Sequence, residues 1–217
     1  MIEEILPREV ASAEAFEDDD RGNHLFNEER AAVMGAVPAR RREFTTVRHC
    51  ARAALGDLGI PPFPLPPGTQ RAPRWPAGVV GSMTHCAGYR AAAVARASRV
   101  HSVGIDAERD EPLPEGVLEM IGLPEERAMI DRLGARRSAP AWDRLLFSCK
   151  EAVYKVSFPL ARRMLGFDAV RVDIAAGGRF GARFLVPPPV AGGRAVPRVT
   201  GRWLRRDGLL LTAVALC

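Results

Sequence analysis

Apolar residues recur at the spacing of a helix face in two stretches of the chain. The first stripe advances in steps of three and four residues, which predicts an amphipathic helix beginning near Ala39. Gly59 and the double proline after it end this helix. The second stripe predicts a helix from about Trp142 to Ser157. The apolar positions are Phe44, Val47, Ala51, Ala54 and Leu58 in the first stripe and Leu145, Cys149, Ala152 and Val156 in the second.

Strand-like patterns follow each predicted helix. After the first helix we expect an antiparallel meander of three short runs, at residues 79–85, 89–97 and 100–108. After the second helix come four β-rich runs, at residues 168–174, 178–186, 198–206 and 208–216. The order of helix and then strands occurs twice, so the pattern predicts an α+β fold of two similar halves, each a helix packed on a small antiparallel sheet. We place the halves at residues 1–108 and 109–217.

Three other segments show no sustained periodicity. The first 38 residues include the acidic run Glu14–Asp20 and are expected to be loosely ordered, with one or two short helices. A proline-rich loop runs from residue 61 to residue 78. The section at residues 110–140 is acidic, contains prolines and is expected to be irregular. Loops of this length in a compact domain are commonly functional or disordered.

Composition narrows the class of protein. With 47% hydrophobic and 26% charged residues, the 217-residue chain has the composition of an ordinary soluble protein. No apolar run approaches the roughly 18–20 residues of a membrane-spanning helix, and the N-terminus lacks the pattern of a secretory signal. We therefore expect a cytoplasmic protein with no membrane partner. The four cysteines have no metal-binding spacing and are expected to be reduced thiols.

The basic residues are almost all arginine. Of 31 lysines and arginines, only Lys150 and Lys155 are lysines, and the formal net charge is +5. A lysine that persists in such a chain suggests a task that arginine cannot perform, although chance survival on a solvated helix is the alternative. Lys155 is the candidate for this task, whereas Lys150, on another helix face, is expected to tolerate arginine better.

Carboxylates and a lysine share faces of two predicted elements. On an extended strand Asp106 and Glu108 point to the same side, which suits a hard divalent cation. A solvated acidic rim at a strand end is the alternative. On the second helix Arg144, Ser148, Glu151 and Lys155 follow one polar stripe, where Glu151 and Lys155 would meet. An ordinary surface ion pair is the alternative there.

Two further groups of residues could bind anions. The segment Gly81–Cys86 ends a predicted strand, where backbone N–H groups and His85 could bind an anion. The alternative is that His85 has a structural role. Arginines also cluster on the first helix and in the loop after it, where the alternative is a solvated charged face. They are Arg40, Arg41, Arg48, Arg52, Arg71 and Arg74. Aromatic residues make up only 6% of the chain, and no stacking platform for nucleic acid accompanies the arginines.

Four segments occur in an order and spacing that identify a family. They are RRREFTTVRHCARAALGDLG at 40–59, RAPRWPAGVVGSMTHCAGYR at 71–90, SVGIDAE at 102–108 and FSCKEAVYKVSFPL at 147–160. The sequence thereby resembles the 4′-phosphopantetheinyl transferases, in particular the monomeric class that serves siderophore, nonribosomal peptide and polyketide synthetases. The resemblance spans about residues 40–174 and does not include the first 35 residues.

The resemblance implies a role for each candidate residue. By this likeness Asp106, Glu108 and Glu151 correspond to magnesium ligands, and Glu151 and Lys155 form the KExxxK signature. The remaining matches are to residues that bind coenzyme A. Thr84 and His85 match residues at its phosphates, and Arg40 and Arg48 match residues at its 3′-phosphate and adenine end. Arg71 takes the place of a lysine that many members carry, and Leu165 matches residues along the pantetheine arm. The coenzyme A helix, its loop and the metal-binding strand thus fall in the N-terminal half, and the KExxxK helix in the C-terminal half.

The implied reaction moves the 4′-phosphopantetheine of coenzyme A to a serine of an acyl or peptidyl carrier protein and releases adenosine 3′,5′-bisphosphate. Glu151, Lys155 and His85 are the expected catalytic residues, with Glu151 as general base. We expect a monomer that does not bind nucleic acid. The alternative is a basic, non-catalytic module that binds nucleotides or nucleic acid.

The carrier is expected to dock on the irregular middle section, which offers apolar and basic residues. They are Leu118, Met120, Ile121, Arg127, Met129 and Arg132. The alternative is that they form a short buried helix of the second half.

Overall fold

A computed structural model describes residues 1–18, 25–134 and 139–217, so the acidic run at 14–20 is described only as far as Asp18. It shows the expected α+β fold, with helices and antiparallel sheets. The helices are α1 (Asn27–Arg30), α2 (Pro38–Asp57), α3 (Val117–Ile121), α4 (Pro124–Gly134) and α5 (Trp142–Ala161). The strands are β1 (Val10–Ala15), β2 (Val79–Cys86), β3 (Tyr89–Arg96), β4 (Ser102–Arg109), β5 (Val170–Ala175), β6 (Arg179–Phe184), β7 (Val190–Ala191), β8 (Arg194–Ala195), β9 (Arg198–Arg206) and β10 (Leu209–Leu216).

The smaller main sheet has the order β1-β3-β2 and packs against α2. β1 pairs with β3 along its whole length, from Val10 opposite Ala95 to Ala15 opposite Arg90. The expectation of loose order in the first 38 residues is therefore wrong for this segment. Its sequence, VASAEA, consists mostly of small residues and carries no clear alternation, so the strand is specified by its pairing with β3.

The larger sheet has five strands in the order β4-β10-β9-β6-β5. β4 pairs with β10 in this larger sheet and not with β3 in the smaller one, so the predicted meander is wrong for its third strand. Both edges of β3 are already taken by β1 and β2, which leaves no hydrogen-bonding edge for β4. The boundary at residue 108 and the similarity of the halves stay predictions.

β4 and α5 pack unusually closely at Gly104. A Cβ atom at this position would lie 2.1 Å from the carbonyl oxygen of Ala152 and 2.6 Å from the amide nitrogen of Val156. Ser102 donates a hydrogen bond of 2.7 Å to the carbonyl oxygen of Val156, beside this contact. The absence of a side chain at Gly104 therefore lets the strand and the helix approach until their polar residues meet.

The middle section is more regular than expected, because α3 and α4 lie within it. Glu126 of α4 is fully buried and pairs with Lys150 Nζ of α5 at 2.7 Å. Lys150 also donates to the carbonyl oxygens of Ile121 and Phe167, at 2.8 and 2.6 Å. These contacts fix the short helices onto α5. Within the ranges that the structure describes, no helix is long and apolar enough to cross a membrane.

Candidate active site

Asp106 lies at the centre of a polar cluster between β4 and α5. Its carboxylate is almost fully buried, and Oδ1 accepts a hydrogen bond of 2.7 Å from Lys155 Nζ. Lys155 also donates to the carbonyl oxygen of Ile105, at 3.1 Å. The other oxygen, Asp106 Oδ2, is buried and has no hydrogen-bond partner among the residues that the structure describes. Burying a carboxylate oxygen without a hydrogen-bond donor costs free energy, so this atom is suited to bind a cation.

Two further carboxylates lie within the field of Asp106. Burial and the charge of Asp106 raise the pKa of Glu108, although Arg144 contacts its Oε2 at 3.1 Å. Burial and Asp106 likewise raise the pKa of Glu151, while Lys155 acts in the opposite direction. The negative charge of Asp106 therefore acts on both glutamates and disfavours their charged forms, as a like charge does in a shared site.

The carboxylates fit a hard cation by their chemistry. They offer only oxygen atoms, and one of these atoms, Asp106 Oδ2, is buried and unpartnered. Within the described residues no three His, Cys, Asp or Glu side chains are already arranged to hold a metal. Lys155 and Arg144 instead balance the charge of Asp106 and Glu108.

The residues of the polar stripe of α5 face two different regions, this site and the protein interior. Lys155 pairs with Asp106 on the neighbouring strand, which differs from the expected pairing with Glu151 along the helix. Ser148 is fully buried, and its hydroxyl lies 2.9 Å from the hydroxyl of Thr212 on β10. Arg144, Glu151 and Lys155 thus face the cluster, whereas Ser148 joins the helix to the sheet.

Thr84 connects the two main sheets. Its hydroxyl accepts the N–H of Ala107 at 3.0 Å and donates to Asp106 Oδ1 at 3.3 Å. Ser82, two residues earlier on β2, accepts the N–H of Ile105 at 3.1 Å. Because Thr84 is 3% exposed, its side chain positions Asp106, and it does not line the large cleft described below.

His85 belongs to a chain of charged side chains at the end of β2. Arg40 donates to His85 Nε2, so the imidazole accepts in its neutral form. Glu43 lies 3.3 Å from Arg40 and 3.7 Å from His85. Burial and then Arg40 hold the pKa of His85 below its usual 6.5, while Glu43 opposes them. Positive charges of Arg40, Lys155 and Arg90 thus act on this end of β2, and the charge of Glu43 opposes them.

A cleft of about 920 Å³ lies between α2, the proline-rich loop and the end of α5. Five arginines line it, namely Arg40, Arg48, Arg71, Arg74 and Arg162, together with His85 and Lys155. The cleft therefore brings together most of the residues that the sequence assigned to coenzyme A. A second cavity of about 140 Å³ is lined by Glu151 and Leu165, and Tyr154 lines both spaces. Leu165 thus lies beside Glu151, away from the arginines.

Arg48 combines a structural contact with its position in the cleft. Its Nε donates to the carbonyl oxygen of Leu65 at 3.1 Å, and burial lowers its pKa to about 10. Leu65 is held from its other side by Glu29 of α1, which accepts the N–H of Leu65 at 2.8 Å. Glu29 is fully buried and also pairs with Arg52 at 2.9 Å. These contacts fix the start of the loop that carries Arg71 and Arg74.

Arg162 and Phe158 also line the cleft, although neither is among the residues predicted from the sequence. Both lie at the end of α5, which continues beyond the predicted limit of Ser157 and past Pro159. Arg162 ends the helix in the left-handed region, with φ of 51°. Continuing the apolar stripe of α5 beyond Ser157 to Leu160 would have placed Phe158 on the helix and Arg162 at its end.

Two family models together match most of the chain. The model described as the 4′-phosphopantetheinyl transferase N-terminal domain matches residues 28–95, and the model described as the 4′-phosphopantetheinyl transferase superfamily matches residues 102–196. The chain belongs to this superfamily. The first match begins at residue 28, so the family likeness extends further toward the N-terminus than the motifs indicated.

Full-length transferases support the assignment. The chain is 53% identical to the 4′-phosphopantetheinyl transferase Svp of Streptomyces mobaraensis, over 100% of the chain and 89% of that protein. It is 44% identical to PptT of Mycobacterium tuberculosis, over 100% of the chain and 98% of that protein. It is 47% identical to Npt of Nocardia iowensis, over 99% of each. These relatives favour the enzyme over the non-catalytic binding module; the monomeric state and the cytoplasmic location stay predictions.

Proposed function

We propose that this phosphopantetheinyl transferase moves the 4′-phosphopantetheine of coenzyme A to a serine hydroxyl of an acyl or peptidyl carrier protein, with release of adenosine 3′,5′-bisphosphate. The observation that carries the proposal is the Asp106–Lys155 pair, whose lysine lines a cleft rich in arginine. A ligand with several phosphate groups requires several cationic side chains along its binding site, and deprotonation of the serine hydroxyl requires a base close to them.

Coenzyme A binding is assigned to the arginine cleft. Arg40 and Arg48 would bind the 3′-phosphate and adenine end, with His85 as a further hydrogen-bonding group near the phosphates. Arg71, in the proline-rich loop, also lines the cleft. Leu165 would contact the pantetheine arm in the smaller cavity, which lies beside Glu151.

Magnesium is the ion that this set of oxygen ligands suits, and Asp106, Glu108 and Glu151 are the residues that would hold it. When bound, it would neutralise the diphosphate and act as a Lewis acid. The unpartnered oxygen of Asp106 is the structural support for this assignment.

The chemical step assigns one role to each polar residue. The serine oxygen forms a bond to the β-phosphorus, and the bond from that phosphorus to the oxygen bridging to the α-phosphate breaks. Glu151 takes the serine proton on its carboxylate and so acts as the general base. Lys155 donates hydrogen bonds to the departing phosphate, where its compact ammonium concentrates charge.

The test is to incubate the enzyme with coenzyme A, magnesium and an apo carrier protein and to measure the intact mass of the carrier. The wild type is expected to add one phosphopantetheine group. Asp106→Ala should abolish or severely slow the addition, most clearly at low magnesium, whereas Asp173→Ala on the exposed sheet face should not. An unmodified carrier with the wild type contradicts the proposed function, and a fully active Asp106→Ala contradicts the metal assignment alone.

A further inference from the structure

The outer face of the five-stranded sheet carries arginines in direct register. On β5, β6 and β9, Arg171 lies opposite Arg183, and Arg183 lies opposite Arg198. A second row places Arg179 opposite Arg202. All five are exposed or half-buried, so we name these two rows the arginine face.

Such a face costs stability in the isolated protein. Side chains directly opposite on antiparallel strands have Cβ atoms about 4.5–5.5 Å apart, and like charges there are destabilising. In the described parts of the chain, the ion pair found on this face joins Arg171 to Asp173, at 3.3 Å. The structure records no such partner for Arg179, Arg183, Arg198 or Arg202 among the described residues. We therefore expect an anion from outside the chain to reduce the repulsion between these arginines.

The arginine face is separate from the transfer site. The alternate residues of the same strands, such as Val172, Phe180 and Val199, are buried in the core that α5 covers. Since side chains alternate along a strand, the arginines project from the opposite side of the sheet. The proposed reaction uses the α5 side, where Lys155 meets Asp106.

One acidic residue, which pairs with Arg171, and two small residues separate the two rows. The positions between them are Asp173, Gly181 and Thr200, which lie opposite one another across the three strands. Arg179 and Arg183 are four residues apart on β6, so the rows are separated by about 13 Å along the strands. This shallow trough has a width close to the roughly 10–12 Å diameter of an α-helix with its side chains.

We propose that the arginine face binds an acidic α-helix of a protein partner, lying across the strands in this trough with carboxylates on both flanks. Guanidinium groups bind carboxylates in a bidentate manner, so both rows would be neutralised at once. The positions of the two rows and those between them hold no aromatic side chain for stacking on bases. They also hold no large apolar side chain for insertion into a membrane, although Leu185 is exposed just beyond the end of β6. A protein helix is therefore favoured over single-stranded nucleic acid or lipid.

Fluorescence anisotropy with a labelled synthetic helix tests the proposal. The peptide carries glutamates on two flanking stripes, and its control carries glutamine at the same positions. Wild-type enzyme is expected to bind the glutamate peptide and not the glutamine peptide, with an affinity that falls as the salt concentration rises. Arg183→Glu with Arg198→Glu should weaken binding by about tenfold or more. The matched control is Arg8→Glu with Arg99→Glu, two exposed arginines elsewhere, which should retain binding.

Two added measurements keep the test decisive. Transfer to an apo carrier should proceed at the wild-type rate in the charge-reversed enzyme, which also shows that it is folded. If that variant does not fold, Arg179→Gln with Arg202→Gln replaces it. The proposal is overturned if wild type does not bind the glutamate peptide, if the control variant loses binding equally, or if a short duplex DNA or phosphatidylglycerol vesicles bind this face more tightly than the peptide does.

Discussion

At the scale of single residues, the two lysines of an arginine-rich chain have different tasks. Lys155 reaches across to the Asp106 carboxylate and is about a quarter exposed. Lys150 is enclosed among carbonyl oxygens and Glu126. Lys150→Arg is therefore expected to cost stability, because a planar guanidinium cannot reproduce the contacts of the compact ammonium with these acceptors. That Lys150 tolerates arginine better than Lys155 does in catalysis stays a prediction.

Lys155→Arg is expected to lower kcat by at least about tenfold while changing the free energy of unfolding little, since a guanidinium cannot reproduce a point charge beside Asp106. Lys150→Arg is the matched comparison and should lower the free energy of unfolding by about 1–3 kcal/mol. Steady-state kinetics and urea unfolding of both variants distinguish these effects. A Lys155→Arg enzyme with the wild-type rate would show that the lysine is incidental.

His85 is expected to titrate below pH 6.5, because burial and Arg40 disfavour its charged form. Arg90 and Lys155 act in the same direction, and Glu43 opposes them. The folded protein thus binds this proton more weakly than the unfolded chain does. The contribution of His85 to stability is therefore greatest above pH 6.5 and falls as the pH drops toward the folded pKa.

NMR of the imidazole resonances in the wild type and in Arg40→Ala measures this titration. Removal of Arg40 should raise the pKa of His85, whereas Arg41→Ala, on the exposed surface beside it, should not. An unchanged pKa in Arg40→Ala would mean that Arg40 does not contribute to the shift, which burial and the remaining charges would then set.

At the scale of elements, the periodic segments were predictable and the pairing of strands was not. The apolar stripes located α2 and α5, and the β-rich runs at residues 198–206 and 208–216 located β9 and β10, because these signals depend on neighbouring residues alone. β1 and the partner of β4 escaped prediction, since each depends on an edge supplied by a distant strand. The site followed the same division: Asp106 and Glu108 were found on their strand, but the contact of Lys155 with Asp106 required β4 and α5 to be packed together.

The close packing of β4 on α5 gives a prediction for Gly104. Gly104→Ala places a methyl group against the backbone of Ala152 and Val156, so we expect a loss of about 3 kcal/mol or more in the free energy of unfolding. Gly181→Ala is the control, because a Cβ there meets nothing within 4 Å. Thermal unfolding of the two variants provides the comparison, and equal melting temperatures would contradict the close contact.

At the scale of the whole molecule, the middle section combines the two roles that its sequence left open. Ile121 and Met129 are buried, whereas Met120 is 81% exposed and Arg132 lies on the surface. The section thus has an apolar inner side and an outer side with exposed apolar and basic residues. Docking of the carrier on that outer side stays a prediction.

Charge reversal at Arg127 and Arg132 is expected to raise the KM for the carrier severalfold while the KM for coenzyme A stays the same, since charge steering acts on the encounter with the protein substrate. The wild-type KM should rise with salt for the same reason. Equal reversals at Arg8 and Arg99 serve as the control. If the folded variant uses the carrier as the wild type does, docking lies elsewhere.

The pairing of β4 with β10 has a consequence for how the enzyme is made. Asp106 lies opposite Thr212, so the strand that carries the central carboxylate pairs, within the described part of the larger sheet, with a strand far later in the chain. During translation, β4 therefore emerges long before its partner does. Contacts of such large sequence separation form late, after the loop-closure entropy has been lost. The nascent chain thus remains catalytically silent until β10 has left the ribosome, and ribosome-bound chains halted before Leu209 should fail to modify a carrier.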